Sequence, residues 1–239
     1  MRALLTGATG LVGDAVLRRC LDDSRISAVV SLGRRRTGLD HPKLTEIEVA
    51  DFADLSPQRA HLGGVGVCFH CLAAYRNRVG GAAYERVTVA YLAALLAVLK
   101  AESAQATFCY FGAEGTRRDG KSWVPALNVK GRAERMVIEA GFPRRYFFRP
   151  AYICPSRPRA HPVFYDPVMK PLFRLFPWLG ISSADLARAM VETALTDPRA
   201  EAVLENREMR GMAARLALPG GATGSGTEGT PGGASRSKP

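Results

Sequence analysis

LLTGATGLVG, at residues 4–13, places Gly7, Gly10 and Gly13 between a short apolar run and a pattern of helical spacing. The G-x-x-G-x-x-G spacing is one residue looser at its start than the dinucleotide-binding fingerprint, yet its glycines can act in the same way. Gly7 permits a tight turn, Gly10 lets the backbone approach a pyrophosphate, and Gly13 lets helix and strand pack closely. Because a helix N-terminus also offers free N–H groups to phosphates, the stretch predicts a strand, a phosphate-binding loop and a helix.

Apolar, strand-like runs alternate with helical patterns along the rest of the chain. Between the runs, apolar residues recur at three- and four-residue spacing, as in LNVKGRAERMVIEAG at residues 127–141. The alternation predicts one α/β domain over residues 1–216, a Rossmann-type doubly wound parallel sheet with helices on both faces. The strand-like runs are RALLT, AVVSL, LTEIEVA, VGVCFHCLA, ATFCYFG and RYFFRP.

The composition changes after the last of these runs. Residues 155–182 are rich in proline and aromatic residues, and we predict a cap near the carboxyl ends of the strands. This cap is either a lid over the cofactor crevice or a segment that contacts a substrate or docks a partner. SSADLARAMVETAL then has a helical pattern, with Ser183 as the expected N-cap. Residues 217–239 form a Gly/Ser/Thr-rich tail with nothing to bury, and the tail is predicted to be disordered.

The end of the second predicted strand bears on the choice of nicotinamide cofactor. An acidic residue there would accept a hydrogen bond from a ribose 2′-hydroxyl, but the sequence has GRRR at residues 33–36. Arginine suits a 2′-phosphate, so Arg34 and Arg35 favour NADP(H) over NAD, and the alternative of a merely solvated side chain fits Arg36 better than the other two. Asp51 follows the third strand and is expected either to approach the adenine end of the cofactor or to cap a helix.

The net charge of +11 raises the possibility of a nucleic-acid partner. The arginines occur in short clusters, such as Arg117 with Arg118, and no RNA- or DNA-binding motif accompanies them. We interpret part of the excess as serving an anionic cofactor. A nucleic-acid-binding module is a minor alternative.

Neither a membrane span nor a secretory signal is expected. No apolar run approaches the roughly 20 residues that cross a bilayer. A strand that starts at residue 2 leaves no room for a cleavable presequence. We therefore expect the protein in the cytoplasm, the nucleus or both.

The cysteines favour reduced, buried thiols over a disulfide framework, because they are odd in number, scattered and set among apolar neighbours. CFHC at residues 68–71 matches C-x-x-C, but residues three apart on a strand point to opposite faces. One metal ion could not bind both thiolates without a turn, so no metal site is predicted. The cysteines are Cys20, Cys68, Cys71, Cys109 and Cys154.

Five segments in order, TGATGLVG, GRRR, VKGRAE, FRP and VLENREM, make the chain resemble the Tat-interactive protein 2 group of atypical short-chain dehydrogenase/reductases. The likeness extends over about residues 2–214. It implies a Rossmann fold that binds NADP(H) and an oxidoreductase-like protein with regulatory roles through protein partners.

The resemblance also assigns cofactor-binding residues. Lys130 matches the lysine that holds the nicotinamide ribose and lowers the pKa of a catalytic tyrosine. Leu72 and Ala73 match the stretch along that ribose, and Pro150 and Ala151 match the turn that borders the nicotinamide. Arg34 and Arg35 match the 2′-phosphate site. The residues that match the phosphate loop are Thr6, Gly7, Thr9, Gly10, Leu11, Val12 and Gly13.

The chain departs from the family where the chemistry occurs. Ala126 stands in place of the tyrosine four residues before the lysine, and Gly112 and Ala113 stand where the partner serine or threonine is expected. Because losing a general acid costs about 10²–10⁴-fold in rate, ordinary carbonyl reduction is not expected. The sequence favours a non-catalytic, cofactor-responsive binding, regulatory or assembly protein. The alternative is an NADPH-dependent oxidoreductase whose acid is relocated to Tyr75 or Tyr152.

Overall fold

The computed structural model describes residues 1–157 and 166–217. Seven parallel strands form one sheet in the order β3-β2-β1-β4-β5-β6-β9. This confirms the predicted Rossmann-type doubly wound sheet. The bounds of the strands are Arg2–Thr6 (β1), Ala28–Gly33 (β2), Leu44–Glu48 (β3), Val67–His70 (β4), Thr107–Phe111 (β5), Arg144–Arg149 (β6) and Glu201–Glu205 (β9).

Helices cover both faces of the sheet, and each face has its own apolar core. One core contains Leu17 of α1 and Met190 of α7 under buried side chains of β1, and the other contains Leu95 of α4 and Val137 of α5. In each of these four helices, apolar residues recur at three- and four-residue spacing and form one buried stripe. The bounds of the helices are Leu11–Asp22 (α1), Arg76–Val79 (α2), Gly81–Glu85 (α3), Tyr91–Glu102 (α4), Pro125–Glu139 (α5), Asp166–Leu175 (α6), Ser183–Thr196 (α7) and Asn206–Ala217 (α8).

The helical pattern before β5 forms two α-helices joined by a π-helical turn at Arg86–Ala90. The whole segment Gly81–Glu102 has 22 residues and a mean hydropathy of 1.5 in its most apolar window, so length and composition alone would let it cross a membrane. This qualifies the expectation that no stretch approaches that length. A third of that window is buried against the protein, and a core helix of a soluble protein passes the same test.

The predicted cap, residues 155–182, contributes one strand to a small two-stranded sheet. Its strands β7 (Tyr152–Cys154) and β8 (Gly180–Ser182) pair in parallel, with Ile153 opposite Ile181, and β7 begins three residues after β6 ends. This small sheet is therefore joined directly to the carboxyl end of β6, the neighbour of the edge strand β9. The predictions for residues 158–165 and 218–239 lie outside the described part of the chain.

The helix after the cap starts one residue earlier than expected. Ser182, and not Ser183, is the N-cap of α7, because its Oγ accepts a hydrogen bond from the backbone N–H of Asp185 at 3.0 Å. Two adjacent serines offer the same capping group, and only the backbone path out of β8 selects between them.

Candidate functional site

The glycine loop leaves no space for side chains at two of its positions. Gly7 has φ +79°, and a Cβ on it would lie 2.6 Å from the carbonyl oxygen of Cys71. A Cβ on Gly13 would lie 2.0 Å from the carbonyl oxygen of Gly7. The start of α1 is therefore held directly against the end of β1. Beneath the loop, Thr6 Oγ1 and His70 Nδ1 form a buried hydrogen bond of 2.9 Å.

A basic cleft of about 820 Å³ opens on one side of this loop. Thr9, Gly10 and Leu11 line it at the start of α1, and Ser183 lines it at the start of α7. Two helix N-termini thus face the same cleft, together with six guanidinium groups, which is an arrangement suited to phosphate. The arginines of the basic cleft are Arg18, Arg19, Arg35, Arg78, Arg157 and Arg188.

The other side of the loop opens into a second space, the Lys130 cavity, of about 410 Å³. Gly10 and Leu11 line both spaces, so the basic cleft and the Lys130 cavity meet at the glycine loop. A long ligand with phosphates at its centre can therefore extend in both directions from the start of α1. The predicted residues that line the Lys130 cavity are Val12, Ala73, Tyr75, Gly112, Ala113, Ala126, Lys130, Pro150, Ala151 and Tyr152.

Lys130 contributes the ammonium group of this cavity from α5. Its Nζ donates to the carbonyl oxygens of Phe111 at 3.4 Å and Gly112 at 3.2 Å, both at the end of β5. Burial lowers the pKa of Lys130 to about 8, although Glu134 acts in the opposite direction. Its neighbour His70 is buried, and burial together with the Lys130 charge lowers the pKa of that imidazole to about 3. His70 is therefore neutral near pH 7, and Lys130 is the group of this pair that titrates near that pH.

Six predicted cofactor residues line neither space: Thr6, Gly7 and Gly13, which shape the glycine loop, and Arg34, Asp51 and Leu72. Arg34 is exposed at the end of β2 and does not line the basic cleft, whereas Arg35 does. Asp51 accepts from the backbone N–H of Ala53 at 3.0 Å, which lies in a turn and not in a helix, and it pairs with Arg86 at 3.3 Å. Leu72 packs against the core, and its backbone borders Gly7.

The segments that carried the family resemblance converge behind the Lys130 cavity. Glu134 of VKGRAE is fully buried, and its carboxylate pairs with Arg149 of FRP at 2.6 Å and with Arg118 at 2.8 Å. Arg149 also pairs with Glu205 of VLENREM at 3.3 Å. The next residue, Asn206, donates to the carbonyl oxygens of Trp178 and Gly180 in the cap. One polar network therefore links α5, β6 and β9, and the residue that follows β9 in the chain holds the cap.

The C-x-x-C segment belongs to the interior of the protein. Cys68 faces one apolar core and Cys71 the other, as the strand geometry predicts, and burial raises the pKa of both thiols. Such thiols are unreactive because the thiolate is the reactive form. Within residues 1–157 and 166–217 there is no group of three or more His, Cys, Asp or Glu that could hold a metal ion.

Sequence reasoning missed Tyr84 in the Lys130 cavity and most arginines of the basic cleft. Tyr84 follows the apolar spacing of a helix, and this spacing is typical of a core residue. Arg18, Arg78 and Arg188 come from three separate helices, and no local pattern in the sequence connects them.

No family model matches the chain. It is similar to Protein HTATIP2 of Rattus norvegicus, with 32% identity over 163 residues, which cover 66% of this chain and 65% of the relative. The match thus spans slightly less than two thirds of that relative's length. Among solved structures, MoeE5 in complex with UDP-glucose and NAD has a TM-score of 0.66 and 20% identity, covering 91% of this chain and 82% of the other. The Bordetella bronchiseptica enzyme WbmH in complex with NAD+ has a TM-score of 0.64 and 19% identity, with the same coverage.

Proposed function

Since the chain belongs to the atypical short-chain dehydrogenase/reductases, in the group of HTATIP2, we propose that it binds NADP(H) and acts as a cofactor-responsive binding protein. In this function the bound cofactor changes what the protein holds or assembles with, and ordinary carbonyl reduction does not take place. The relatives in complex with NAD support the dinucleotide. The residues of this chain support the rest of the proposal.

The observation that carries the cofactor proposal is the junction of the two spaces at the glycine loop. The start of α1 supplies free N–H groups at the point where a pyrophosphate would lie. The basic cleft would then hold the adenosine half, and the Lys130 cavity would hold the nicotinamide half. When bound, the cofactor supplies a redox-active ring to the Lys130 cavity.

The choice of NADP(H) over NAD rests on charge. Arg35 brings a guanidinium to the basic cleft near the end of β2, where a ribose 2′-phosphate would lie. Its charge-assisted hydrogen bonds stabilise a phosphate and have no equivalent with a 2′-hydroxyl.

The non-catalytic part of the proposal rests on the residues around Lys130. Gly112, Ala113 and Ala126 line the cavity at the positions where the family has its hydroxyl groups. None of these three side chains can donate a proton. Lys130 Nζ is engaged with backbone carbonyl oxygens, which suits a role in holding the cofactor ribose.

The cap supports an interaction with a protein partner. Leu175 is 71% exposed and Trp178 is 61% exposed, and Phe176 stacks edge-on against Trp178 with ring centroids 5.1 Å apart. Exposed aromatic side chains of this kind are enriched at protein interfaces. Because Asn206 holds the cap to the network behind the Lys130 cavity, a cofactor in that cavity can influence this surface.

We expect the unmutated protein to bind NADPH, observed by fluorescence titration, without oxidising it. Absorbance at 340 nm should fall no faster than in protein-free controls across a panel of aldehydes, ketones and quinones. Robust turnover would overturn the non-catalytic part of the proposal. Failure to bind NADPH would overturn the cofactor part.

An oxidoreductase with a relocated acid is the second candidate, because Tyr75 and Tyr152 line the same cavity as Lys130. Tyr75 is 41% exposed at the rim, and Tyr152 packs edge-on against Phe173 at 6.1 Å between ring centroids. If the unmutated protein turns over any substrate of the panel, Tyr75→Phe and Tyr152→Phe identify the acid by which one abolishes that activity.

The affinity for NADPH is expected to fall as pH rises above about 8. The free Lys130 has a pKa of about 8, and bonds from its ammonium group to ribose hydroxyls favour the charged form, so binding raises this pKa. Affinity is then constant below pH 8 and declines by up to tenfold per pH unit above it, until the raised pKa is reached. Titrations between pH 7 and 9.5 test this, since the 2′-phosphate titrates below that range.

Lys130→Met should bind NADPH more weakly at pH 7 and show no such decline. A decline of the same size in Lys130→Met would contradict the assignment.

A further inference from the structure

Tyr84 places a phenol hydroxyl in the Lys130 cavity from a part of the chain remote from α5. The residue lies on α3, is only 4% exposed and lines the cavity next to Ala126. Its hydroxyl donates to the carbonyl oxygen of Ala126, 42 residues away, at 3.3 Å. A tyrosine from another helix thus brings a hydroxyl to the backbone of Ala126, the residue that stands in place of the family's tyrosine.

This hydrogen bond is weak and exchangeable. O–H···O bonds in proteins are most often 2.7–2.8 Å long, so 3.3 Å is outside the usual range. The acceptor also lies in the first turn of α5, where a helix carbonyl accepts from the N–H four residues later. A buried tyrosine hydroxyl normally finds a good partner, so a stronger acceptor that entered the cavity would take the place of Ala126.

The Tyr84 hydroxyl remains a donor at neutral pH. Tyr84 lies two residues before the π-helical turn, in which Thr88 is buried. Burial raises the pKa of Tyr84, although Thr88 and Arg76 act in the opposite direction, and the phenol is therefore protonated at neutral pH. Single π-helical turns occur frequently at functional sites, where they re-aim a side chain.

The rest of the cavity wall limits the kind of ligand that fits. Leu127 and Ile153 are apolar, Tyr75 and Tyr152 offer aromatic surfaces, and Arg76 lies at the edge. Lys130 Nζ already has two carbonyl partners. Among the described residues of the wall, Tyr84 combines a buried hydroxyl with a long hydrogen bond to its present acceptor, so this donor can exchange to a ligand.

We propose that Tyr84 recognises a second ligand in the Lys130 cavity, a flat molecule whose carbonyl oxygen accepts the hydroxyl in place of the Ala126 carbonyl. The inference rests on the proposed function, because the cofactor would form one wall of the space. It assigns to Tyr84 a contact with the ligand and requires no proton transfer.

The test uses 4-(dimethylamino)benzaldehyde, whose absorption band moves to longer wavelength when its carbonyl oxygen accepts a hydrogen bond. The protein is first saturated with NADP+, which cannot reduce the probe, and the probe is then titrated. The wild type should bind it with a red shift, and Tyr84→Phe should lose the shift and bind about three- to tenfold more weakly, as expected for one hydrogen bond. Tyr91→Phe is the matched control, because Tyr91 packs against the core and Phe52 outside the cavity.

Equal affinity and an equal shift in Tyr84→Phe would overturn the inference. A second measurement uses only the wild type: N,N-dimethyl-p-toluidine, which has a methyl group in place of the aldehyde, should displace the probe poorly. Displacement as strong as that by a benzaldehyde without the dimethylamino group would also overturn the inference. A wild type that binds NADP+ but not the probe contradicts the inference alone, whereas one that does not bind NADP+ contradicts the proposed function as well.

Discussion

Replacing Gly13 by alanine is expected to abolish measurable NADPH binding and to destabilise the fold. The added Cβ would lie 2.0 Å from the carbonyl oxygen of Gly7 and 2.6 Å from its carbonyl carbon. Both neighbours are backbone atoms that cannot rotate away, so α1 must move off the loop. Overpacking of this kind costs about 1–3 kcal/mol or more. At about 3 kcal/mol, the Tm of a chain of this size falls by roughly 6–12 °C.

The loss of binding follows from the same displacement. The free N–H groups at the start of α1 contact the pyrophosphate only if the helix is held against β1, so NADPH affinity should fall by at least about 100-fold. Gly63→Ala is the matched control, since a Cβ there has no heavy atom within 4 Å. Calorimetric unfolding and NADPH titration of both variants check the prediction. Near-normal NADPH affinity in Gly13→Ala would exclude the glycine loop as the cofactor site.

Replacing Arg35 by alanine is expected to remove most of the preference for NADPH over NADH. A guanidinium–phosphate contact contributes about 1.5–3 kcal/mol, so NADPH affinity should fall by roughly 10- to 150-fold while NADH affinity changes little. Arg35 lines the basic cleft that begins at the glycine loop. Its contact with the 2′-phosphate depends on the positive charge of the guanidinium, which alanine lacks. Parallel titrations of both cofactors measure the change.

The neighbouring arginines serve as internal controls. Arg34 is exposed but does not line the basic cleft, so Arg34→Ala should have a smaller effect than Arg35→Ala. Arg36 pairs with Glu48 at 3.0 Å and is expected to contribute least. Equal affinities of the unmutated protein for NADPH and NADH would contradict the interpretation of GRRR. An equal loss for both cofactors in Arg35→Ala would assign that arginine to a phosphate that they share.

Most of the fold could be predicted because its signals are local. Glycine spacing marks the first turn, and the change from strand-like runs to three- and four-residue spacing marks each strand and helix. Parallel strands with helical connections then leave few arrangements of the sheet. The capping residue of α7 and the π-helical turn at Arg86–Ala90 were not predicted, because each depends on the path of the backbone between neighbouring elements.

Part of the candidate site could also be predicted. Ala126 and Lys130 lie four residues apart on one helix, so helix geometry alone places them on the same face. The Gly112–Ala113 pair follows a predicted strand, and the carboxyl ends of parallel strands meet at one edge of a sheet. The spacing of these residues is therefore enough to assign them to one cavity.

The sequence by itself determined the alternation of strands and helices, the glycine loop and the Ala126–Lys130 pair, because each depends on spacing along a short stretch of chain. Only the tertiary structure brought Tyr84 to Ala126 and joined Glu134, Arg149 and Glu205 in one network. Those contacts connect residues 15 to 56 positions apart. Periodicity encodes which face of an element is buried, but it does not encode which neighbouring element covers that face. The position of a helix on the sheet therefore decides which polar side chains share a cavity.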